Sequence, residues 1–211
     1  MTTPILWGRG SSSNVQRVLW TLAEAGLNPE HRIVGGAHGG LDTPEFAALS
    51  PAGTIPVLQD GEVVIWQTHA AMRHVALAHA PHLFPSTPLE RAQVDSWMDW
   101  SATVAWPPIR DLYAHGWLGR PGDPDALRRA INLAAIRADA VLAGRPWLTG
   151  DAFTLADVTL GIAFNRFRSM GEAVTWPHVA RWLDTARARP AFAVVEDVLP
   201  PRPDPTEGSA S

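Results

Sequence analysis

Residues 50–68 are the stretch of this chain best suited to bind a small molecule. Pro56 directly precedes the apolar pair Val57-Leu58. Because a proline cannot donate to a sheet ladder, the backbone of Ile55 should face outward. We expect the Ile55–Pro56 bond to be cis. Thr68 can cap a following helix, whose first amides lack partners and favour carboxylates. Together these groups predict a site for a ligand with peptide-like and carboxylate groups.

A second polar stretch, Gly-Arg-Gly-Ser-Ser-Ser-Asn at residues 8–14, lies between a short apolar strand and a helix. Its hydroxyl and amide groups can cap the helix or donate hydrogen bonds to a ligand. Apolar residues recur behind it at i, i+3, i+4 and i+7, which is the spacing of one helix face. We expect Ser13 or Asn14 to be the N-cap and Gly26 to end the helix in a left-handed conformation.

The composition limits the chemistry that the chain can supply. It has 211 residues and no cysteine, which excludes disulfides and thiolate metal ligands, so any thiol must arrive with the ligand. The net charge of −4, without a basic cluster, argues against a nucleic-acid partner. No apolar run reaches the length of a membrane span, and no basic leader precedes the first strand. We therefore expect a cytoplasmic protein with a small-molecule partner and no membrane association.

Eight histidines raise the question of a metal site. His74, His79 and His82 lie close together in the sequence, but they form no i, i+4 pair and no carboxylate pattern accompanies them. The sequence therefore predicts no metal.

The elements that carry these groups alternate in the first third of the chain. Strands are expected at residues 5–7, 31–34, 57–58 and 63–65. Helices are expected after the first, second and fourth strands. Asp60-Gly61 predicts the tight turn of a hairpin, and the glycine-rich residues 35–40 predict a flexible loop. The order β-α-β-α-β-β-α is a thioredoxin-like arrangement, which we assign to residues 1–79.

The rest of the chain predicts an all-α C-terminal domain. Three prolines in residues 80–88 mark a linker, and helical patterns fill residues 89–199. Pro107 and Pro108 are expected to stop the first of these helices. Residues 200–211 lack apolar periodicity and predict a disordered tail.

The first-domain motifs resemble those of the glutathione transferase family. Residues 50–56 read Ser-Pro-Ala-Gly-Thr-Ile-Pro and are followed by a hairpin and Gln67-Thr68, which is similar to the glutathione-binding segment of that family. Residues 7–18 look like those of bacterial serine-type members, which are theta- or nu-like.

The helical half carries the same resemblance. Thr154-Leu-Ala-Asp157 forms a predicted capping box, and residues 176–182 read Trp-Pro-His-Val-Ala-Arg-Trp; both are similar to the family's C-terminal domain. The resemblance covers about residues 4–198.

The resemblance implies an enzyme that activates the thiol of glutathione, its co-substrate. A thiol with a pKa near ~8.5 is only about 3% thiolate at neutral pH, and lowering that pKa by about two units makes most of it nucleophilic. Counting four residues back from Arg17, as serine-type members are spaced, selects Ser13 as the donor to the sulfur. The alternatives are Ser11, Ser12 and Asn14. A further alternative is that Ser13 only caps its helix.

The resemblance also implies which residues hold glutathione. They are His38, Gly39, Thr54, Ile55, Pro56, Gln67 and Thr68. The backbone of Ile55 would meet the cysteinyl part, and Gln67 with Thr68 the γ-glutamyl end. Many members have Glu-Ser there, so Gln67 gives up an ion pair with the ligand's ammonium. His38 and Gly39 lie where the family reaches the glycyl carboxylate.

Trp106 and Tyr113 are expected to form a pocket for an electrophilic apolar co-substrate. Two alternatives to conjugation stay open: a glutathione-dependent peroxidase or isomerase that uses the same thiolate, and a glutathione-fold binding protein without turnover. The resemblance further implies a role in detoxification and a two-fold dimer.

Overall fold

A small mixed sheet opens the computed structural model, which describes residues 3–195 and Leu199. Its strands are β1 (Ile5–Trp7), β2 (Glu30–Arg32), β3 (Val57–Asp60) and β4 (Val63–Trp66). They lie in the order β2-β1-β3-β4, with β1 parallel to β2 and the other pairs antiparallel. Because Trp7 pairs with Val57, the loop after β1 lies beside the segment that precedes β3.

Three helices complete the N-terminal part. They are α1 (Ser13–Glu24), α2 (Pro44–Leu49) and α3 (Thr68–His79). The apolar faces of α1 and α3 meet each other beside the sheet, where Leu6, Val18 and Met72 are fully buried. The order β-α-β-α-β-β-α confirms the predicted thioredoxin-like arrangement.

The described C-terminal part is helical, as predicted. Its helices are α4 (Pro88–Trp100), α5 (Trp106–Leu118), α6 (Pro124–Leu142), α7 (Leu155–Ser169) and α8 (Pro177–Arg187), followed by a 3₁₀ turn (Pro190–Val194). α7 is the central helix: it is buried from Leu155 to Phe167 and packs on α1, α4 and α5. Among the described residues, no helix has both the length and the apolar character needed to cross a membrane.

The prediction that Pro107 and Pro108 stop a helix is wrong. α4 runs through a π-helical turn (Ser101–Ala105) directly into α5, and both prolines lie in the first turn of α5. The fixed φ of proline suits the first turn of a helix. In the preceding π turn each hydrogen bond spans five residues, where an α-helix spans four, so the set of amides that need a carbonyl partner changes there.

Two predicted helix caps are displaced by one residue. The N-cap of α1 is Ser12 rather than Ser13 or Asn14, and its side chain makes no capping hydrogen bond. α3 begins at Thr68, so its N-cap is Gln67. Spacing alone cannot fix these boundaries, because neighbouring polar residues are nearly equivalent as caps.

The hairpin turn also differs by one residue from the prediction. Asp60 still pairs with Val63, so the two turn residues are Gly61 and Glu62, with a positive φ of 61° at Gly61. β2 likewise ends earlier than expected, at Arg32.

The glycine-rich loop contains a regular turn that the sequence does not predict. Gly36–His38 forms a 3₁₀ turn, which is closed by a 2.7 Å hydrogen bond from the amide of Gly35 to the carbonyl of Gly39. The predicted tail at residues 200–211 lies outside the described residues. The domain bounds given above stay predictions.

Candidate functional site

Ser13 is a buried hydroxyl at the start of α1, 6% exposed. Its Oγ accepts a hydrogen bond from Nε of Arg166 at 3.1 Å, and Nη2 of the same arginine donates to the carbonyl of Ser11 at 2.8 Å. Ser13 is the first residue of α1, after the N-cap Ser12. Because Oγ accepts from Arg166, its own hydrogen can be donated to a ligand atom.

Arg17 is a second buried guanidinium beside this hydroxyl, 2% exposed. It donates to the carbonyl of Thr159 and to Oδ1 of Asn14, and it lies 4.6 Å from the ring centre of Trp106. No carboxylate in the described part of the chain pairs with it. Burial, and then the charge of Arg166, lower the pKa of Arg17 to about 9. The start of α1 thus carries a positive potential that favours an anion.

A cavity of about 260 Å³ opens in front of Ser13. Ser12, Ser13 and Asn14 line it from α1, and Trp106 and Tyr113 line it from α5. The structure therefore brings the residues predicted to activate a thiol together with those predicted to receive a co-substrate.

The Ile55–Pro56 bond is cis, as predicted. Ile55 packs on Gly8 of the loop after β1, since a Cβ on Gly8 would lie 3.2 Å from the Cβ of Ile55. The same Cβ would lie 2.5 Å from Cγ2 of Val15, and Gly8 has a φ of 143°, so this position needs a glycine. Ser50 holds the preceding turn, because its Oγ donates to the carbonyl of Thr54 at 3.1 Å and accepts from the amide of Thr54 at 3.3 Å. These contacts fix residues 54–56 against the loop that leads to Ser13.

Gln67 and Thr68 lie at the N-terminal end of α3. Gln67 has a φ of 88°, which is rare outside glycine and is seen mainly where surrounding structure imposes it. Its carbonyl accepts from the amide of Ala71 at 3.0 Å, which leaves the first three amides of the helix without partners inside α3. This end of α3 favours a carboxylate, although neither residue lines the cavity in front of Ser13.

His38 and Gly39 lie at the end of the 3₁₀ turn between β2 and α2 and are exposed. They also lie outside the lining of the cavity. Arg9 lies across this turn, since a Cβ on Gly36 would be 3.3 Å from its Nε. Arg9 lines the cavity as well and thus connects the two regions.

Asp60, His74 and His79 form a separate polar cluster. Nε2 of His74 and Nε2 of His79 lie 2.8 and 2.7 Å from Oδ2 of Asp60. A carboxylate therefore does accompany two of these histidines, contrary to the prediction, because Asp60 reaches His74 and His79 from β3. The three groups, all within 4.8 Å of one another, are a ligand set that suits a transition metal, but their distances are those of hydrogen bonds.

The two imidazoles determine the titration of Asp60. Burial raises its pKa, but the hydrogen bonds from His79 and His74 outweigh burial and leave the pKa below the usual value. We interpret the cluster as a clamp between the hairpin and α3.

Sequence reasoning gave Arg166 no role and used Arg17 only as a spacing marker. One signal in the sequence could have found Arg166: it is a charged residue within the mostly apolar sequence of α7. Because arginine is rarely buried without a polar partner, such a residue indicates a specific polar contact. What it contacts could not be read from the sequence, since Ser13 lies 153 residues away.

The fold and the site together define a class of protein. A thioredoxin-like sheet supplies a cis-proline segment and open helix amides, and an all-helical part covers a buried hydroxyl with arginines. This is a two-part thioredoxin-fold protein whose positively charged cavity at the start of α1 suits an anionic ligand.

The comparisons with known proteins identify the family. Residues 11–78 match the model of the glutathione S-transferase N-terminal domain, and residues 114–190 match that of the C-terminal domain. The chain is 30% identical to glutathione S-transferase GstB of Escherichia coli, over 90% of this chain and 96% of that protein. It is 33% identical to glutathione S-transferase 3 of Zea mays, over 97% and 98%.

Solved structures agree with this result. The theta class glutathione S-transferase from Xanthomonas axonopodis pv. citri, with glutathione bound, has a TM-score of 0.80 and 38% identity, covering 92% of this chain and 97% of that chain. A glutathione transferase homolog from Drosophila mojavensis, with bound glutathione, has a TM-score of 0.84 and 26% identity, covering 93% and 92%. The chain therefore belongs to the glutathione S-transferase family.

Proposed function

We propose that this chain is a glutathione transferase that ionises the thiol of glutathione at Ser13 and adds the sulfur to an electrophilic apolar co-substrate. The observation that carries the proposal is the Oγ of Ser13, buried at the start of α1 between a cavity and the guanidinium of Arg166. Membership of the family supports conjugation as the reaction.

Ser13 stabilises the thiolate by donating its hydroxyl hydrogen to the sulfur. Arg166 holds the oxygen from the other side, which orients the hydroxyl and polarises it. Lowering the thiol pKa by about two units requires roughly 2.7 kcal/mol. A charge-assisted hydrogen bond of about 1.5–3 kcal/mol and a helix N-terminus worth about 0.3–1 kcal/mol supply that amount.

Glutathione lies along the N-terminal part in this proposal. The backbone of Ile55, between Thr54 and Pro56, binds the cysteinyl part as a short strand would. Gln67 accepts from the γ-glutamyl ammonium, and the amides that begin at Thr68 bind the neighbouring carboxylate.

His38 and Gly39 meet the glycyl carboxylate at the other end of glutathione. The neighbouring guanidinium of Arg9 supports an anion there.

The co-substrate lies on the aromatic residues of α5. Tyr113 stacks on Trp117 with ring centres 5.6 Å apart, and Trp106 lies over Arg17. These rings offer a flat apolar surface in the same cavity as Ser13. The thiolate and the electrophilic carbon then lie in one cavity, where the sulfur can attack the carbon.

The test is Ser13→Ala, with the absorbance of bound thiolate followed against pH. We expect the thiol pKa to rise by roughly one to two units, because one charge-assisted hydrogen bond to the ionised form is lost. Glutathione affinity should change little, since other residues hold the tripeptide. Ser12→Ala is the matched control, because Ser12 also lines the cavity and its hydroxyl caps nothing.

Other outcomes have clear meanings. A shift in Ser12→Ala or Asn14→Ala, with none in Ser13→Ala, would move the role by one residue and keep the mechanism. If none of the variants at Ser11, Ser12, Ser13 and Asn14 shifts the curve, activation by a side chain of this loop is wrong. Turnover of cumene hydroperoxide in place of 1-chloro-2,4-dinitrobenzene would favour the peroxidase alternative, and bound glutathione without any turnover the non-catalytic one.

A two-fold dimer belongs to the same proposal, with each N-terminal part against the partner's helical part. Exposed apolar side chains on β4 and α3 support it, since Val63, Val64, Trp66 and Leu77 are all at least 41% exposed. Sedimentation equilibrium at micromolar concentration tests it. The cytoplasmic location and the role in detoxification stay predictions of the sequence.

A further inference from the structure

Among the described residues, the lining of the cavity in front of Ser13 includes four arginines and no acidic side chain. They are Arg9, Arg110, Arg120 and Arg166. The whole chain has 17 basic residues against 21 acidic ones and a net charge of −4, so this lining is opposite in sign to the molecule. A pocket for a purely apolar co-substrate does not need this charge.

The four guanidinium groups come from three parts of the fold that meet at the cavity: the loop after β1, α7, and α5 with the turn that ends it. Arg9 follows β1, Arg166 belongs to α7, and Arg110 belongs to α5. Arg110 also pairs with Asp111 at 2.8 Å, but that carboxylate lies outside the lining and both side chains are about half exposed.

Arg120 is held at the C-terminal end of α5. Its amide donates to the carbonyl of Ala114 at 3.2 Å, and its carbonyl lies 3.0 Å from Nδ1 of His115. Gly119, with a φ of 63°, makes the turn after which Arg120 joins the lining of the cavity. No salt bridge of Arg120 is present in the described part of the chain, so its charge is available to a ligand.

The apolar part of the cavity complements this charge. Trp106, Tyr113 and Leu118 come from one helix, and the rings suit a flat, conjugated molecule. At about 260 Å³ the cavity is smaller than the ~300–1,000 Å³ of drug-sized sites, so a single-ring molecule fits it best.

We infer that the preferred co-substrate is a small aromatic or conjugated electrophile that carries a carboxylate, which Arg110 and Arg120 bind while the ring lies on the α5 aromatics. The inference rests on the proposed function and specifies its substrate class. Guanidinium groups match the planar, two-oxygen geometry of a carboxylate. Binding the charge at the far end would orient the electrophilic carbon toward the sulfur at Ser13.

The reaction balances with the groups already named. On a chloronitroaryl carboxylate the thiolate sulfur forms a bond to the ring carbon, the carbon–chlorine bond breaks, and chloride leaves with the electron pair. The thiol proton passes to solvent when glutathione ionises. The carboxylate takes no part in bond formation.

The test compares 4-chloro-3-nitrobenzoate with 4-chloro-3-nitrobenzamide, each kcat/KM divided by its own uncatalysed rate. We expect the carboxylate to be favoured at least about tenfold, the effect of one charge-assisted hydrogen bond. Arg120→Gln should reduce this preference several-fold, and Arg110→Gln is the second variant. A merely structural loss would lower both rates and leave their ratio in place.

Arg129→Gln is the matched control, because Arg129 is a 70% exposed arginine on α6, outside the cavity. It should keep the wild-type preference. Equal normalised rates for the two compounds would overturn the inference and leave thiol activation at Ser13 standing. Loss of bound thiolate in Ser13→Ala is measured without any electrophile, so the two proposals can fail separately.

A binding experiment covers the case in which neither compound is turned over. Calorimetry would compare the glutathione conjugates of the benzoate and of the benzamide, and at least about tenfold tighter binding of the carboxylate conjugate is expected. Equal affinities overturn the inference. The inference is also overturned if Arg120→Gln lowers the affinity for glutathione by the same factor as the affinity for the carboxylate conjugate. Arg120 would then bind the tripeptide part of the conjugate.

Discussion

His69, the second residue of α3, is kept neutral by its surroundings. Burial, and then the charges of Arg17 and Arg73, lower its pKa from 6.5 to about 3. Between those two values the unfolded chain binds a proton that the folded chain does not. The free energy of unfolding therefore rises as the pH increases from about 3 to 6.5, and this contribution is lost as the pH falls through the same range.

We predict that His69→Gln makes the protein less sensitive to acid. The wild-type thermal midpoint should fall more steeply than that of the variant as the pH drops from 6.5 toward about 4, because only the wild type must keep this imidazole neutral. His38→Gln, at an exposed histidine of a loop, should keep the wild-type slope. Parallel curves for wild type and His69→Gln would show that burial and the charges of Arg17 and Arg73 do not lower the pKa of His69.

At the residue scale, the sequence predicts groups that lie within one local motif. The hydroxyl run before α1 leaves residues 11–14 open, and the spacing of serine-type members relative to Arg17 selects Ser13. Ile55 with Pro56 follows from the proline at the mouth of β3. Arg166 could not be assigned, because its contact with Ser13 depends on how α7 packs on α1. Tertiary packing decides which residues from distant parts of the sequence meet in a site, and the periodicity of apolar residues does not reveal such contacts.

At the scale of elements, the π-helical turn between α4 and α5 carries an unusual group. Ser101 is fully buried, and among the described residues its Oγ is the buried side-chain polar atom without a hydrogen-bond partner. A hydroxyl buried in this way loses its water and gains nothing in return.

Ser101→Ala should therefore stabilise the protein by about 0.5–1.5 kcal/mol, because it removes an unpaired polar group without creating a large cavity. Urea denaturation measures the change. Ser50→Ala is the matched control: Ser50 is 2% exposed, and its hydroxyl makes two hydrogen bonds to Thr54, so we expect a loss of about 1 kcal/mol. Destabilisation by Ser101→Ala would mean that its hydroxyl is paired in solution.

Elements are predicted from the sequence where their signals are local. The alternation of strands and helices in the first part and the capping interaction of Asp157 with Thr154 are both found. The π turn is missed because two prolines in a helical pattern predict the end of the helix. Proline ends a helix only from its interior, and Pro107 and Pro108 lie in the first turn of α5. The one-residue shifts at Thr68 and Asp60 have the same origin, since polar neighbours compete for one structural position.

At the scale of the whole molecule, α1 is the element that joins the two parts. Trp20 is fully buried, and its ring packs on Phe153 and Phe192, with centres 5.5 and 5.0 Å apart. Glu24 forms a two-pronged ion pair with Arg189, both contacts at 2.6 Å. The partners lie up to 172 residues from α1 in the sequence, as for Trp20 and Phe192, which is why sequence patterns did not reveal this junction.

Glu24→Gln should weaken this junction by about 2 kcal/mol, and lower the thermal midpoint by about 4–8 °C. The reason is that the Glu24 side chain is 6% exposed, so Arg189 loses a counter-charge that water replaces only in part. The change keeps an oxygen that can still accept from Nε1 of Trp20, which isolates the effect of charge.

Two further variants decide whether the ion pair itself is responsible. Asp184→Asn breaks an exposed pair with Arg168, whose side chains are 66% and 48% exposed, and should cost less than about 0.5 kcal/mol. Glu24→Gln combined with Arg189→Gln should cost less than the sum of the single changes, because the two side chains share one interaction. If Glu24→Gln costs no more than Asp184→Asn, the pair does not hold the two parts together, and the packing of Trp20 alone must do so.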